Sequence, residues 1–309
     1  MWKGIGYEEK EVSQTRERVP PMIVAIASGK GGTGKTTVAV NLAAVMEGPV
    51  TYADCDVEEP NGHIFLKPAL NSNKTVGIPV PVVDTERCVG CGRCAEVCRF
   101  NAIACVREKV LVFSELCHGC GGCVFACPAK AISEKKHTIG VVETGYSNHV
   151  SFVQGCLRVG AAMSPPLIRA VKEVLNTGEW VILDAPPGTS CPVIAAVKGS
   201  DFVVLVTEPT PFGLHDLKLA VETVRQLGIP FGVVINRCDI GDQQVPEYCH
   251  RESIPLLLEI PHERRIAEAY SRGEMVVDAV PEFKDSFIQL DRCIRSFLTP
   301  QNDPEGASQ

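Results

Sequence analysis

The apolar positions of this chain fall into short blocks separated by polar or helix-like stretches. Residues 23–27 form an apolar run of buried-strand length. A glycine-rich turn follows, and apolar residues then recur at helical spacing through Val38, Leu42 and Val45 until Gly48-Pro49 stops them. Residues 50–53 read as a second strand that ends in Asp54-Cys55-Asp56. Later runs at 180–183, 202–206, 231–235 and 256–260 predict strands, with helical stretches between them such as 214–227, closed by Gly228. Ser164-Pro165 predicts the cap and first turn of a helix ending at Asn176-Thr177-Gly178. Strands alternating with helices predict an α/β fold, with a doubly wound, mostly parallel sheet and right-handed crossovers. Phe287, Leu290, Ile294 and Phe297 predict a last helix docked on this domain. Asp285 and Asp291 break up its basic residues, unlike a membrane-binding tail.

From about Val83 to Lys135 the alternation gives way to cysteine. Nine of the 15 cysteines lie between Cys88 and Cys127. The predicted division is a solvated arm over 1–21, an α/β domain in two parts over 22–83 and 136–300, a small cysteine-rich domain over 84–135 inserted after the second strand, and a tail over 301–309. Residues 1–20 hold no apolar export core, and no apolar run approaches the ~18–20 residues of a membrane span. A cytoplasmic protein without a stable membrane anchor is expected. In a reducing compartment the dense cysteine block points to metal rather than to disulfides. A net charge of -7 argues against a broad nucleic-acid-binding surface.

The turn between the first strand and first helix matches two phosphate-binding patterns. Gly29, Gly31 and Gly34 fit a dinucleotide fingerprint, with Asp54 placed 20 residues beyond Gly34. The segment Gly29-Lys30-Gly31-Gly32-Thr33-Gly34-Lys35-Thr36-Thr37 fits a P-loop, in which Lys35 reaches the β- and γ-phosphates and Thr36 ligates Mg²⁺. The dinucleotide pattern leaves Lys35, Thr36 and Asp184 without a role. Asp184 ends an apolar strand, as a magnesium-holding acid does, and Gly188 just beyond it could offer an N–H to a γ-phosphate. Asp54 and Asp56 end strand two at the same carboxyl edge. A nucleoside triphosphate and Mg²⁺ are therefore the expected ligands, ATP being what the resemblance below implies.

The cysteine block is a repeat. Cys88, Cys91, Cys94 and Cys98 are echoed 29 residues later by Cys117, Cys120, Cys123 and Cys127. One zinc site needs four ligands, and this block offers eight. The Cys-x₂-Cys-x₂-Cys-x₃-Cys spacing suits [4Fe–4S] clusters, the fourth cysteine of each run ligating the other cluster. The expected sets are Cys88, Cys91, Cys94 and Cys127 for one cluster, and Cys117, Cys120, Cys123 and Cys98 for the second. Cys105, Cys156, Cys191, Cys238, Cys249 and Cys293 lack such spacing and are expected to pack, Cys55 to face away from its flanking acids, and His118 to be exposed.

With these motifs in place, residues 22–300 outside the insert resemble the MinD/ParA superfamily of deviant-Walker ATPases. The specific mark is Lys30 within the P-loop. The resemblance implies that Lys30 reaches a partner's phosphates across an ATP-sandwich dimer, formed with a second copy or a related ATPase. It also implies that Asp56 positions the attacking water, that Asp54 and Asp184 steady the Mg²⁺ site, and that Asn236-Arg237 contacts adenine. The insert resembles a two-cluster ferredoxin, with Arg99 standing where proline usually follows the fourth cysteine. Three roles are compatible with the combination: ATP-gated electron transfer to a redox or iron–sulfur partner protein, cluster assembly or carriage, and redox-sensing positioning. The first is favoured. Carrier relatives bind a labile cluster through a Cys-x-x-Cys near the C-terminus, which this chain lacks.

Overall fold

In the computed structural model, residues 21–175 and 180–298 are described. The expected arm over 1–21, the tail over 301–309 and the helix stop at 176–178 lie largely or wholly outside them. Eleven strands form in chain order: β1 (Met22–Ala27), β2 (Val50–Asp54), β3 (Ala69–Val83), β4 (Ile103–Val106), β5 (Lys109–Val112), β6 (Ile132–Ser147), β7 (Val150–Leu157), β8 (Trp180–Asp184), β9 (Phe202–Thr207), β10 (Phe231–Asn236) and β11 (Leu256–Ile260). Nine of them make one sheet in the order β11-β10-β9-β1-β8-β2-β7-β6-β3. From β11 to β7 every neighbour is parallel, and β6 and β3 then add antiparallel strands.

The helices α1 (Lys35–Val45) and α2 (Gly62–Leu66) follow β1 and β2, and the short α3 (Arg93–Val97) and α4 (Gly122–Ala126) lie in the cysteine-rich segment. Beyond them come α5 (Pro165–Lys172), α6 (Cys191–Val197), α7 (Pro211–Leu227), α8 (Gln244–Arg251), α9 (Arg264–Ser271), α10 (Val276–Ala279) and α11 (Lys284–Leu298). One core joins the sheet to Leu167 and Ile168 of α5, Val193 of α6, Leu217 of α7 and Val245 of α8. The other joins it to Val38 and Leu42 of α1, Val276 of α10, and Phe287, Leu290 and Ile294 of α11. The result is a three-layer α/β/α domain. As expected, α11 docks, and Phe297 stacks on Phe202 with ring centroids 5.3 Å apart.

The insert's attachment differs from the expected one. It does not leave from the loop after β2. The chain first forms α2, then runs along β3, and returns along β6, so the cysteine-rich segment closes a long hairpin. Ile132, expected inside the insert, already belongs to β6. Gly140 pairs with Leu157 at the carboxyl end of β7, so residues 132–139 continue past the carboxyl edge of the sheet. At about 3.3 Å per residue, that extension has a contour of roughly 26 Å. It is seated on the domain, because Ile78, Val80 and Ile139 are buried in the same core as α5. The insert has its own small core of Cys94, Ile103 and Ile132. No helix among the described residues is long and apolar enough to cross a membrane.

Candidate functional site

The end of β1 delivers the chain into the glycine turn, and Gly34 opens α1 from a left-handed conformation (φ 95°). Only glycine takes this position without strain, and a Cβ there would also lie 2.5 Å from the Asn236 amide nitrogen. A Cβ at Gly29 would collide with the carbonyl of Asp216, so the turn is pressed against α7. Gly31 and Gly32 face open space. They line a cavity of about 390 Å³ together with Gly34, Lys35, Thr36, Thr37, Asp56 and Pro187. Lys35 is buried at the wall. The cavity continues past Asn236 and Arg237 to Pro261, His262, Glu263 and Ile266. Its size and its glycine cradle at a helix N-terminus suit a nucleotide.

Asp54 and Asp184 stand opposite each other in register on β2 and β8. Both are buried. Burial raises both carboxyls above the ordinary range, Asp184 further raising Asp54, while the Lys35 ammonium and the Thr36 and Tyr52 hydroxyls oppose the rise at Asp184. The Tyr52 hydroxyl donates to Asp184 Oδ2 at 3.0 Å, and buried Asp184 Oδ1 has no hydrogen-bond partner among the described residues. An orphaned carboxylate oxygen beside Lys35 and Thr36 fits a hydrated Mg²⁺. Asp54 is engaged differently. Its Oδ1 accepts from the Asp56 N–H at 3.1 Å, and its Oδ2 accepts from those of Asn61 (3.1 Å) and Gly62 (2.9 Å). It shapes the loop that carries Asp56. Asp56 itself is part-exposed at the cavity, its carboxyl pushed up to about 6 by burial, with Asp184, Glu59 and Glu58 adding and Lys35 opposing.

Three expected contacts are occupied within the chain. The Gly188 N–H donates to the Ser28 carbonyl at 3.0 Å and is not free for a γ-phosphate in this conformation. Asn236 donates to the Thr33 carbonyl at 2.9 Å, and its Oδ1 accepts from the Arg237 N–H at 3.0 Å, so it braces the glycine turn. Lys30 lies 3.6 Å from Glu208, which also pairs with Arg237 at 2.8 Å. Sequence reasoning did not single out Tyr52, Glu208 or residues 261–263. The last follow β11 at the carboxyl edge, where ligands of open α/β sheets gather, and that rule could have found them.

In the insert, the repeat in sequence becomes a repeat in space. Gly92 and Gly121, both left-handed (φ 74° and 73°), open α3 and α4. Two separate cavities result. Cys88, Cys91, Cys94 and Cys127 line one, with Val83, Val110 and Ile132. Cys98, Cys117, Cys120 and Cys123 line the other, with Phe100, His118 and Glu134. The crossed partition therefore appears in the cavity walls, and thiols four to a wall are a donor set that suits a cluster. Among the described residues no group of three or more candidate ligands is drawn together tightly enough for a single ion. Backbone N–H groups already face two sulfurs, Gly119 to Cys117 Sγ at 3.4 Å and Ala131 to Cys127 Sγ at 3.3 Å. His118 is half-buried against Phe100, ring centroids 3.6 Å apart, rather than exposed. Cys249 packs in the core as expected, Cys55 is buried in the same core, and Cys191 is exposed.

Comparison with known proteins agrees with this architecture. An uncharacterized protein of Methanocaldococcus jannaschii is 32% identical over 258 residues, covering 82% of this chain and 90% of its own length. An iron-sulfur cluster carrier protein of Aquifex aeolicus is 25% identical over 87% of this chain and 65% of its own length. The septum site-determining protein MinD of Pyrococcus horikoshii, solved with Mg-ADP, superposes with a TM-score of 0.55 at 20% identity, over 90% of this chain and 97% of that one. The family described as CobQ/CobB/MinD/ParA nucleotide binding domain matches residues 24–277. With the glycine turn, the acids of β2 and β8 and the parallel sheet all inside that span, the chain belongs to the CobQ/CobB/MinD/ParA family of nucleotide-binding domains.

Proposed function

We propose that this chain is an Mg-ATP-binding ATPase that carries two [4Fe–4S] clusters and gates electron transfer to a partner protein by its nucleotide state. One observation carries the reading: eight cysteines divide between two cavities in the crossed arrangement expected from their spacing, on a hairpin that rises from the edge where the glycine turn lies. Lys35 and the N–H groups of 31–36 would hold the phosphates. Thr36 and Asp184 would hold the magnesium shell, with Asp54 fixing the loop. Asp56 would orient the attacking water, and its raised carboxyl suits taking up a proton. Lys30, once released from Glu208, would reach the phosphates of a second subunit, a second copy or a related ATPase. Magnesium supplies charge neutralisation at the phosphates, and the clusters supply single-electron storage.

Anaerobically isolated protein should contain about eight irons and eight sulfides per chain. A potentiometric titration with Mg-ADP and with a non-hydrolysable Mg-ATP analogue then tests gating. Coupling of about 1–3 kcal/mol corresponds to a shift of roughly 40–130 mV for a one-electron couple. Potentials agreeing within about 20 mV, together with unchanged reduction rates, would refute gating. Relatives named iron-sulfur cluster carrier proteins favour a second reading, in which clusters are cargo. Transfer of iron and sulfide to an apo-acceptor on ATP addition would support it, and retention through repeated ATP turnover would exclude it.

A further inference from the structure

The two halves of the insert are copies at an offset of 29 residues, and among the equivalent positions that differ in charge one lies at a cavity wall. The offset that carries Cys88 to Cys117 and Ile103 to Ile132 also carries Cys105 to Glu134. Both residues face the glycine that opens the short helix of their own half. A Cβ at Gly92 would lie 3.9 Å from Cys105 Cβ, and one at Gly121 would lie 3.6 Å from Glu134 Oε1.

The walls of the two cavities differ accordingly. No charged side chain lines the first. Glu134 lines the second, beside Cys98, Cys117, Cys120 and Cys123. Arg99, which directly follows Cys98, lines neither. None of the ion pairs among the described residues includes Glu134, so its charge has no fixed counter-ion there.

We propose that Glu134 makes the two clusters inequivalent, its carboxylate lowering the midpoint potential of the cluster held by Cys98, Cys117, Cys120 and Cys123 and leaving the other nearly untouched. One-electron reduction adds negative charge to a site that four thiolates already make anionic. A carboxylate at the wall opposes that electron by Coulomb repulsion, and net charge is one of the main determinants of cluster potential. In the first half the equivalent residue, Cys105, does not line the cavity, and its thiol donates to the Gly90 carbonyl at 3.7 Å. Glu134 acts as a positioning residue for charge and ligates nothing.

The proposal rests on the two-cluster reading. The test compares the anaerobically purified wild-type chain with Glu134→Gln and Glu134→Asp, each by iron and sulfide content and by potentiometric titration followed by electron paramagnetic resonance. Glu134 is solvent-exposed on β6, so both variants should fold and hold eight irons. Glu134→Gln should raise one midpoint and leave the second in place, and Glu134→Asp should keep the wild-type pair. Eight irons with both midpoints unmoved, or moved equally, overturns the assignment of Glu134 alone. A wild-type chain with far fewer than eight irons overturns the two-cluster reading and this proposal with it.

Discussion

Tyr52→Phe removes a single hydroxyl from the floor of the phosphate site. The ring is fully buried, stacked on Phe152 at 5.8 Å and packed beneath Gly62. Phenylalanine keeps those contacts, so the loss is the 3.0 Å hydrogen bond to Asp184 Oδ2. Hydrogen bonds to charged groups contribute about 1.5–3 kcal/mol. Without metal the effect is smaller, because burial raises the Asp184 carboxyl and so opposes its ionisation. With magnesium Asp184 must be ionised, and the whole cost appears. At about 1.4 kcal/mol per factor of ten, Mg²⁺ affinity of the nucleotide complex should fall roughly 10- to 100-fold. The assay is a Mg²⁺ titration of a bound fluorescent ATP analogue, paired with thermal melting in the absence of metal. The expected result is a shifted Mg²⁺ midpoint at nearly constant Tm. An unchanged midpoint with a lowered Tm would refute the reasoning and leave Tyr52 a packing residue.

The two lysines of the turn should separate. Lys35→Ala should abolish tight ATP binding by the monomer, whereas Lys30→Ala should spare it and suppress ATP-dependent dimerisation and hydrolysis; equal losses of monomer binding in the two variants would argue against a trans role for Lys30. The nucleotide-free protein should lose stability with rising pH. Asp56 titrates near 6 in the folded chain against an ordinary value of about 3.9, so its contribution is full below the lower value and disappears as pH rises through the higher one. Melting temperature should therefore decline from about pH 4 to 7, and Asp56→Asn should flatten that decline; an equally steep slope in the variant would count against the shift.

What could be read from the sequence follows from burial. Strands β1, β8, β9 and β10 are covered on both faces, so they appear as unbroken apolar runs. The hairpin of β3 and β6 left no such mark. Pro79 and Pro81 interrupt β3, yet β3 is the sheet's edge, where a missing N–H costs no ladder bond. Its first seven residues are exposed, and β6 opens with a polar stretch through Lys136. The division of eight cysteines between two cavities follows their spacing, which is a local property of the chain. The engagement of Asp54, Gly188 and Asn236 was not, since each accepts from or donates to a group positioned by loop geometry: Asn61 and Gly62, Ser28, and Thr33.

The route between nucleotide and insert is likewise tertiary. By sequence alone the insert hangs from the loop that carries Asp56. In the fold, α2 and the whole of β3 intervene, and the short path runs through β7. The Leu157 N–H donates to the Val57 carbonyl at 2.8 Å, and the next N–H, of Arg158, donates to Ile139 on β6 at 2.7 Å. Val57 is buried directly after Asp56, and a Cβ at Gly155 would lie 2.5 Å from its side chain, so there is little slack between the loop and β7. Ile139 in turn shares a core with Ile78 and Val80, against which Cys117 is packed. Under the proposed gating, a displacement of Asp56 toward a γ-phosphate would carry Val57 with it and press on the end of β7. Close packing transmits such a shift rather than absorbing it. That strand end is bonded to the arm on its other side, so the same displacement loads the base of the hairpin that holds both sets of cysteines.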